Sequence, residues 1–418
     1  MNRAANFSNP STHSRFGGSS ASRVLRCPAS VGLVQQVPAY LRKVSAHAER
    51  GVALHEALAS LIDESEHSVE RVVGKTFNAY TVTRDDAKIA LAPALAYANS
   101  LLDAPGAEFF LEARLAFPTI TGAFGTADLI IRIRNTAHIL DFKFGAGVRV
   151  LALSPAEDDP TADVLNSQLM FYACSARYSR PEFFAGVEDI VLTIVQPTSI
   201  DVDAEMVSSV TVTNTELDAF IVAYRAACEE ALSDTPRLER GSWCRFCAAR
   251  ACCPAHTRPL LDLAQFVVPT ASAVPKEAYL QILADGLNLV DAVKDIRTAL
   301  HDQAKRALQN GDHVPGYTLS AGRAERRWRD EVTTFVALLS LGLDHDDVME
   351  AETLRSPRQV EQRAKARGLK IPQELIASNR SGVSLVRIEN AHAPVPGRVE
   401  LARTFSEALK AFQGGGQA

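Results

Sequence analysis

The chain has 418 residues, of which 47% are hydrophobic and 22% charged, and a formal net charge of −5. That length predicts two domains or one large decorated one, and the composition is that of a globular chain. The acidic balance excludes a molecule that is polybasic throughout, so any nucleic-acid contact must come from a local patch.

Residues 1–22, rich in Ser, Asn and Gly, are expected to form a disordered tail without the apolar core of a signal peptide. No apolar run approaches the roughly 18 residues of a membrane span, so a cytoplasmic protein with no membrane contact is expected. One or two short helices are predicted around Cys27. Leu54, Leu58 and Leu61 share a face of a helix over 51–64, with His55 beside them. A second helix is predicted over 85–102. The period then shortens to two. A strand over 109–117 carries Glu112 and Arg114 on one face. A β-branched strand over 128–134 turns at Arg134-Asn135-Thr136 and returns over 138–144. A helix over 162–177 carries Gln168 and Tyr172. Strands over 189–195 and 207–212 follow, then a helix opened by Thr215 with Asp218 three residues on, a capping-box-like start.

After a cysteine-rich segment comes a linker-like stretch, and then the texture turns helical. Leu280, Leu283, Leu287, Val290, Val293, Ile296 and Leu300 form a stripe that Asn310-Gly311 ends. Ser356-Pro357 opens a further helix, with Gln359 completing a capping box. The domain reading is a folded core over 23–260, a linker over 261–275 and a mostly helical region over 276–418. The order helix, three strands, helix, two strands, helix predicts an α/β fold, a mixed sheet of about five strands flanked by helices.

Seven cysteines in a chain without an export signal argue against a disulfide scaffold. Cys244, Cys247, Cys252 and Cys253 lie close together, and soft thiolates suit iron–sulfur or structural zinc. Cys174 and Cys228 fall in apolar helical stretches and are expected in the core.

The sharpest local feature is Gly125-Thr126-Ala127-Asp128, followed on the next strand by Asp141-Phe142-Lys143. Strand alternation puts Asp141 and Lys143 on one face and Phe142 and Phe144 on the other. The hairpin brings Asp128 toward Asp141. Two facing carboxylates repel unless a cation sits between them, and oxygen ligands suit Mg²⁺ or Mn²⁺. A nearby lysine can orient water or offset transition-state charge, which completes the parts of metal-assisted phosphodiester hydrolysis. His55 is a candidate metal ligand through one ring nitrogen. Glu112 is either a further ligand or an ordinary strand residue. Gln168 and Tyr172 share one helical face, where their polar ends reach a phosphate or the scissile water. Asp-x-Lys alone is more often an ordinary surface ion pair; its weight comes from the company it keeps.

Taken in order, His55, Gly125-x-x-Asp128, Asp141-x-Lys143 and Gln168-x-x-x-Tyr172 resemble the RecB-like branch of the PD-(D/E)xK nucleases. The resemblance implies a restriction-endonuclease-like core. It implies metal ligation by His55, Asp128, Asp141 and the backbone carbonyl of Phe142, with catalysis by Asp128, Asp141 and Lys143 and a supporting role for Gln168 and Tyr172. Cys27, Cys244, Cys247 and Cys253 look like the iron–sulfur staple of AddB-type and CRISPR-associated RecB-like nucleases, which implies a [4Fe-4S] cluster ahead of structural Zn²⁺ and favours Cys253 over Cys252. Arg26-Cys27-Pro28-Ala29-Ser30, Asp141-Phe142-Lys143-Phe144-Gly145, Gln168-Leu169-Met170-Phe171-Tyr172 and Cys244-Arg245-Phe246-Cys247 resemble more closely a phage and prophage family of unknown function. Pro315-Gly316-Tyr317 and Arg327-Trp328 extend that likeness, which runs from about Ser19 to about Arg387.

The resemblance therefore implies a Mg²⁺- or Mn²⁺-dependent DNA exonuclease in a bacterial host cytoplasm. Its partners would be single-stranded DNA or DNA ends and phage recombination proteins. Arg323, Arg326 and Arg327 beside Trp328 are a candidate DNA contact, since arginines hold phosphates and an aromatic stacks on a base; a solvated charged face with one half-buried Trp is the plainer reading. Two rival functions stand beside the enzyme. One is an iron–sulfur DNA- or partner-binding module that cuts little, and the other a zinc-stapled structural protein with a fortuitous Asp-x-Lys. No phosphate-cradling Gly-x-x-x-x-Gly-Lys-Ser/Thr loop is present, so unwinding would need another chain.

Overall fold

A five-stranded sheet carries the site, in the order β1–β2–β3–β4–β5: β1 Glu108–Ala116, β2 Phe124–Ile133, β3 Thr136–Phe142, β4 Asp189–Val195 and β5 Val207–Val212. The computed structural model describes residues 14–42, 46–65, 67–145, 147–156, 161–199, 205–321, 324–350, 353–380, 383–390 and 395. All sheet pairs are antiparallel except β3 with β4. A parallel pair needs a crossover, and a helix between β3 and β4 supplies it. The helices of this part are α1 Ala21–Arg26, α2 Ser30–Gln36, α3 Ala46–Asp63, α4 Ala92–Leu102, α5 Ser167–Ser179, α6 Asn214–Ala231, α7 Pro254–Gln265 and α8 Lys276–Asn310; the crossover is α5.

Both faces of the sheet are covered. On one, Leu54, Leu58 and Leu61 of α3 and Leu95 of α4 meet Leu129, Ile131, Leu140 and Phe142. On the other, Val24 of α1, Leu169 and Phe171 of α5 and Tyr224 of α6 meet Leu115, Ile130, Ile139 and Leu192. Each fully buried Leu, Ile or Phe contributes roughly 1.5–3 kcal/mol, so these two layers hold the sheet independently of anything bound at its end.

Several local expectations shift. Residues 14–22, expected in a disordered tail, pack instead: Phe16 is 4% exposed, and Gly18–Ser20 form a 3-10 turn that leads into α1. Residues 1–13 lie outside the described part. The helix expected over 162–177 begins only at Ser167, because Asp163–Leu165 pairs as a strand with Leu153–Pro155 and Asn166 caps the helix by accepting from Gln168 N and Leu169 N. The capping box of α6 is Thr213 with Glu216, not Thr215 with Asp218; Thr213 accepts from Glu216 N, and Glu216 accepts from Thr213 N at 2.7 Å. A π-helical turn, Asp86–Leu91, precedes α4. The stretch expected as a linker, 261–275, starts inside α7.

The chain divides into two compact units, Met1–Ile296 and Arg297–Ala418. In the second, α9 Glu331–Ser340, α10 His345–Val348 and α11 Pro357–Ala366 surround a core of Leu338, Leu343, Val348, Val360 and Ile376. Ser356 and Gln359 form the predicted capping box on α11. To the helical texture expected here the structure adds antiparallel ladders: β6 Tyr317–Ala321 with β9 Val383–Arg387, and β7 Ala324–Trp328 with β8 Ile376–Arg380. Among the described residues no helix is long and apolar enough to cross a membrane.

Candidate functional site

Three carboxylates stand in one row across β1, β2 and β3. The register sets Glu112 opposite Asp128, between Leu111↔Leu129 and Ala113↔Ala127, and Asp128 opposite Asp141, next after Leu129↔Leu140. The pleat breaks at this row. Residues two apart on a strand normally face one side. Here Ala113 and Ala127 pack in the layer with α5, whereas Leu111 and Leu129 pack in the layer with α3 and α4. Glu112 makes the switch in a left-handed conformation, φ 46°, which costs a non-glycine residue roughly 1–2 kcal/mol. Such strain persists where the surroundings over-determine it, most often at functional sites. Asp128 replaces the missing ladder bond with its side chain, Oδ2 accepting from Phe142 N at 2.8 Å.

His55 reaches the row from α3, its Nδ1 3.4 Å from Asp128 Oδ2 and its ring edge-on to Phe144. One ligand atom from each of His55, Glu112 and Asp128 lies within 4.8 Å of the others. Crowding of like charges shows in the carboxyls. Lost hydration, then Asp128, Glu56 and Asp141, push Glu112 up to about 8, although one side of the residue stays open to solvent. Burial pushes Asp128 up to about 6 against the pull of His55, with Asp141 adding to the rise. Glu56, next to His55 on α3, is a neighbour that no sequence motif signalled. Burial raises its carboxyl, and Asn78 Nδ2 donates to it at 3.0 Å.

A polar chain runs from the row to α5. Asp141 is 2% exposed, and its Oδ2 faces Lys143 Nζ at 2.6 Å in the geometry of an ion pair, without accepting a hydrogen bond. Lys143 Nζ donates to Gln168 Oε1 at 2.8 Å, and Gln168 Nε2 donates to Asp141 Oδ1 and to Tyr172 Oη, each at 3.0 Å. Burial, reinforced by Asp141 and Asp128, holds the Tyr172 phenol well above its usual range, so its proton stays on and is free to donate. Phe142 and Phe144 stack on each other in the opposite layer, as strand alternation predicts.

Two glycines make room for Tyr172. A Cβ on Gly125 would stand 2.9 Å from Tyr172 Cε1, and one on Gly18 would stand 2.7 Å from the same atom. Gly125 therefore serves Tyr172 rather than a turn. Arg50, on α3, fixes the far side: its Nη1 donates to Phe144 O at 2.9 Å and its Nε to Asp86 at 2.8 Å. Asp86 also accepts from Tyr80 and from Thr83 N and Oγ1. The helix that bears His55 is thereby tied to the segment that bears Lys143. The Thr83-x-x-Asp86 spacing was the cue available in sequence.

The residues present fit a divalent cation. Carboxylates that repel one another, a histidine nitrogen among them and a buried carboxylate oxygen without a hydrogen bond are the donor set of a hard-metal site.

Elsewhere in this unit, Cys27, Cys244, Cys247 and Cys253 line one small cavity with Arg23, Trp243 and His256, while exposed Cys252 does not line it. Cys27 follows α1, and its Sγ accepts from Glu239 N at 3.5 Å. Arg237 ties the two segments, donating through Nη2 to Leu25 O and accepting from Ala29 N. Burial raises the thiols of Cys244 and Cys247, and Arg23 pulls Cys247 back. Among the described residues no three cysteine sulfurs lie within 4.8 Å of one another. Cys174 and Cys228 are buried in the core, where burial pushes both thiols up to about 12.

In the second unit Trp328 packs on the core and its indole N–H donates to Arg355 O at 2.7 Å. Arg326 and Arg327 lie on β7 opposite Ser378 and Ala377. Arg323 and the side chains of Arg326 and Arg327 lie outside what is described.

A family model described as "Protein of unknown function (DUF2800)" matches residues 13–392. Among solved structures, the crystal structure of SSO0001 is 14% identical with a TM-score of 0.25, over 59% of this chain and 90% of that one. The crystal structure of LHK-Exo in complex with dAMP is 13% identical with a TM-score of 0.16, over 50% of this chain and 90% of that one. Likenesses of that size carry no argument about fold or chemistry, which rest on the geometry above.

Proposed function

This chain belongs to the family described as "Protein of unknown function (DUF2800)", and from the geometry of its site we propose that it is a Mg²⁺- or Mn²⁺-dependent deoxyribonuclease. The observation that carries this reading is the convergence of His55, Glu112 and Asp128 within 4.8 Å, beside an Asp141–Lys143–Gln168–Tyr172 chain. His55, Glu112, Asp128 and Asp141 would hold the ion, with the carbonyl of Phe142 as a further ligand. Bound there, the ion supplies an activated water and neutralises phosphate charge.

The protein's own groups do the rest. Lys143 donates one N–H to Gln168 and stands against Asp141 as an ion pair, which leaves N–H donors on its ammonium to meet the phosphate or the attacking water. Gln168 spends its carbonyl on Lys143 and its amide on Asp141 and Tyr172, so it is a positioning residue. Tyr172 accepts from Gln168 and keeps its proton to donate to a phosphate oxygen. DNA as substrate, the preference for single strands or free ends, exonucleolytic action and a role in phage or prophage recombination come with the resemblance to RecB-like nucleases.

The four cysteines around one cavity support a bound metal–thiolate group. The preference for an iron–sulfur cluster over zinc comes with the resemblance to AddB-type and CRISPR-associated RecB-like nucleases.

The test is cleavage of end-labelled single- and double-stranded DNA by protein purified without oxygen, with Mg²⁺, Mn²⁺ or EDTA. Metal-dependent cutting that disappears in folded Asp141→Ala and Lys143→Ala is the expected result, and the product ladder gives its direction. No cutting by folded, metal-loaded wild type would replace the enzyme with a DNA- or partner-binding module.

A further inference from the structure

The cysteine cavity holds more than thiols. His256, on α7 just beyond Cys253, is 1% exposed, and neither ring nitrogen has a hydrogen-bond partner. The carboxylate facing it is Asp295, with Oδ2 3.4 Å from Nε2. Arg23, one helical turn before Cys27, has a buried Nε that is likewise without a partner. Both residues line the cavity together with the four cysteines. A buried donor left without an acceptor costs roughly 1–3 kcal/mol, and such groups are uncommon in folded proteins. Finding orphaned nitrogens on two residues from opposite ends of the unit, at the same small cavity, calls for a shared cause.

We propose that Arg23 and His256 are the hydrogen-bond donors to a metal–thiolate group held by Cys27, Cys244, Cys247 and Cys253. This rests on the reading of that cavity as a metal site. Four thiolates on a metal carry net negative charge into a place shielded from water. Their sulfurs, and any inorganic sulfide, accept N–H bonds, and such outer partners orient ligands and tune the metal. The Arg23 guanidinium supplies a permanent charge as well as a donor. His256 supplies an N–H from the same helix that follows Cys253. Both donors stabilise the more negative state of the group, so their loss favours the oxidised form and loosens the metal.

The experiment uses the full chain purified without oxygen. Metal and sulfide per chain, thermal midpoint, and the half-time of metal loss to a chelator are measured. The proteins are wild type, His256→Leu, His256→Gln, Arg23→Met and the double variant Cys244→Ser/Cys253→Ser. The expected result is metal in wild type and none in the double cysteine variant. His256→Leu and Arg23→Met should fold and load fully but release metal about tenfold faster, with His256→Gln, which keeps an N–H donor, within about twofold of wild type. Where the metal is iron, the midpoint potential should fall in the Leu and Met variants; a tenfold shift in a one-electron equilibrium is about 59 mV. Release and potential unchanged in both variants would overturn the inference and leave the metal site standing, as would Gln behaving like Leu. Wild type without metal, or metal retained by the double cysteine variant, would remove the metal site itself and the inference with it.

Discussion

The carboxylate row and the cysteine cavity are built in opposite ways. The row sits on three consecutive strands whose register is fixed by short connections and by two apolar layers. The cavity joins Cys27 to a segment more than half the chain away, and between Leu232 and Cys253 only Ala249 and Cys253 are buried. A segment with so little apolar burial cannot offset its own ordering entropy. On the reading of the cavity as a metal site, the group it holds would brace this segment, whereas an ion in the row would need only to do chemistry.

The largest expected effect tests that division directly. Asp141→Asn keeps the shape of a buried side chain but removes a ligand and the partner of Lys143. Cleavage should fall by about 10³-fold or more, with the thermal midpoint moving by no more than about 3 °C. Cys244→Ser should do the reverse. Loss of a bound metal that organises a loop costs roughly 3 kcal/mol, a fall of about 10 °C in a unit this size, with cleavage surviving at temperatures where the protein is still folded. Calorimetry and a cleavage assay on both variants check the contrast, and it breaks if each variant loses both properties together.

Gly125→Ala comes next, because it perturbs the row without touching a ligand. The added Cβ would lie 2.9 Å from Tyr172 and 3.1 Å from Phe171, both packed in the core. Relief must come from moving Tyr172, and Gln168 and Lys143 move with it. Roughly 1–3 kcal/mol of stability and about tenfold in kcat should be lost, with KM little changed. A wild-type kcat in the folded variant would show that Tyr172 is merely structural.

That glycine also marks how far the sequence could be read. Asp128, Asp141 and Lys143 were legible because strand alternation and a tight turn specify where they point. His55 and the Gln168/Tyr172 pair were legible because helical spacing puts each on a definite face. The reason for Gly125 was not, since it lies in a contact with a side chain on another element. Nor was the pleat switch at Glu112, because nothing in a Glu residue announces a left-handed φ within a strand. Thr213-x-x-Glu216 and Thr215-x-x-Asp218 overlap as capping patterns, and only the hydrogen bonds choose between them. The β6–β9 and β7–β8 ladders escaped notice because each pairs strands separated by helices, so no hairpin signal joins them. The four cysteines showed as a pattern, but the donors Arg23 and His256 had no pattern to show.

The row should also respond to pH in a way the cavity does not. Glu112, at about 8, and Asp128, at about 6, lie above their ordinary values of 4.5 and 3.8. The folded protein therefore binds these protons more tightly than the unfolded chain. Their contribution favours folding most at pH below the ordinary carboxylate values and is lost as pH rises through about 6 and then about 8. Metal-free protein should become less stable across that window, and added Mn²⁺ should restore more stability at pH 8 than at pH 5. Thermal midpoints with and without Mn²⁺ check this, and Asp128→Asn should flatten the metal-free curve. A metal-free curve that rises with pH in wild type would mean that these carboxyls do not face one another as described.

The smallest effect separates strain from ligation at a single residue. Glu112 holds φ 46° in the middle of a paired strand, and glycine adopts that conformation without the Cβ penalty. Glu112→Gly removes the strain and one of three crowded carboxylates together, and its cost is a more flexible unfolded chain. Glu112→Gln removes the charge but keeps the strain. If the conformation is imposed by packing of the two layers, the Gly variant should be more stable than the Gln variant by about 1 kcal/mol in metal-free protein, and both should bind Mn²⁺ more weakly than wild type by a similar factor. Equal stabilities would mean that the strand relaxes once the carboxylate is gone, so that repulsion within the row, rather than packing of the two layers, sets the backbone at Glu112.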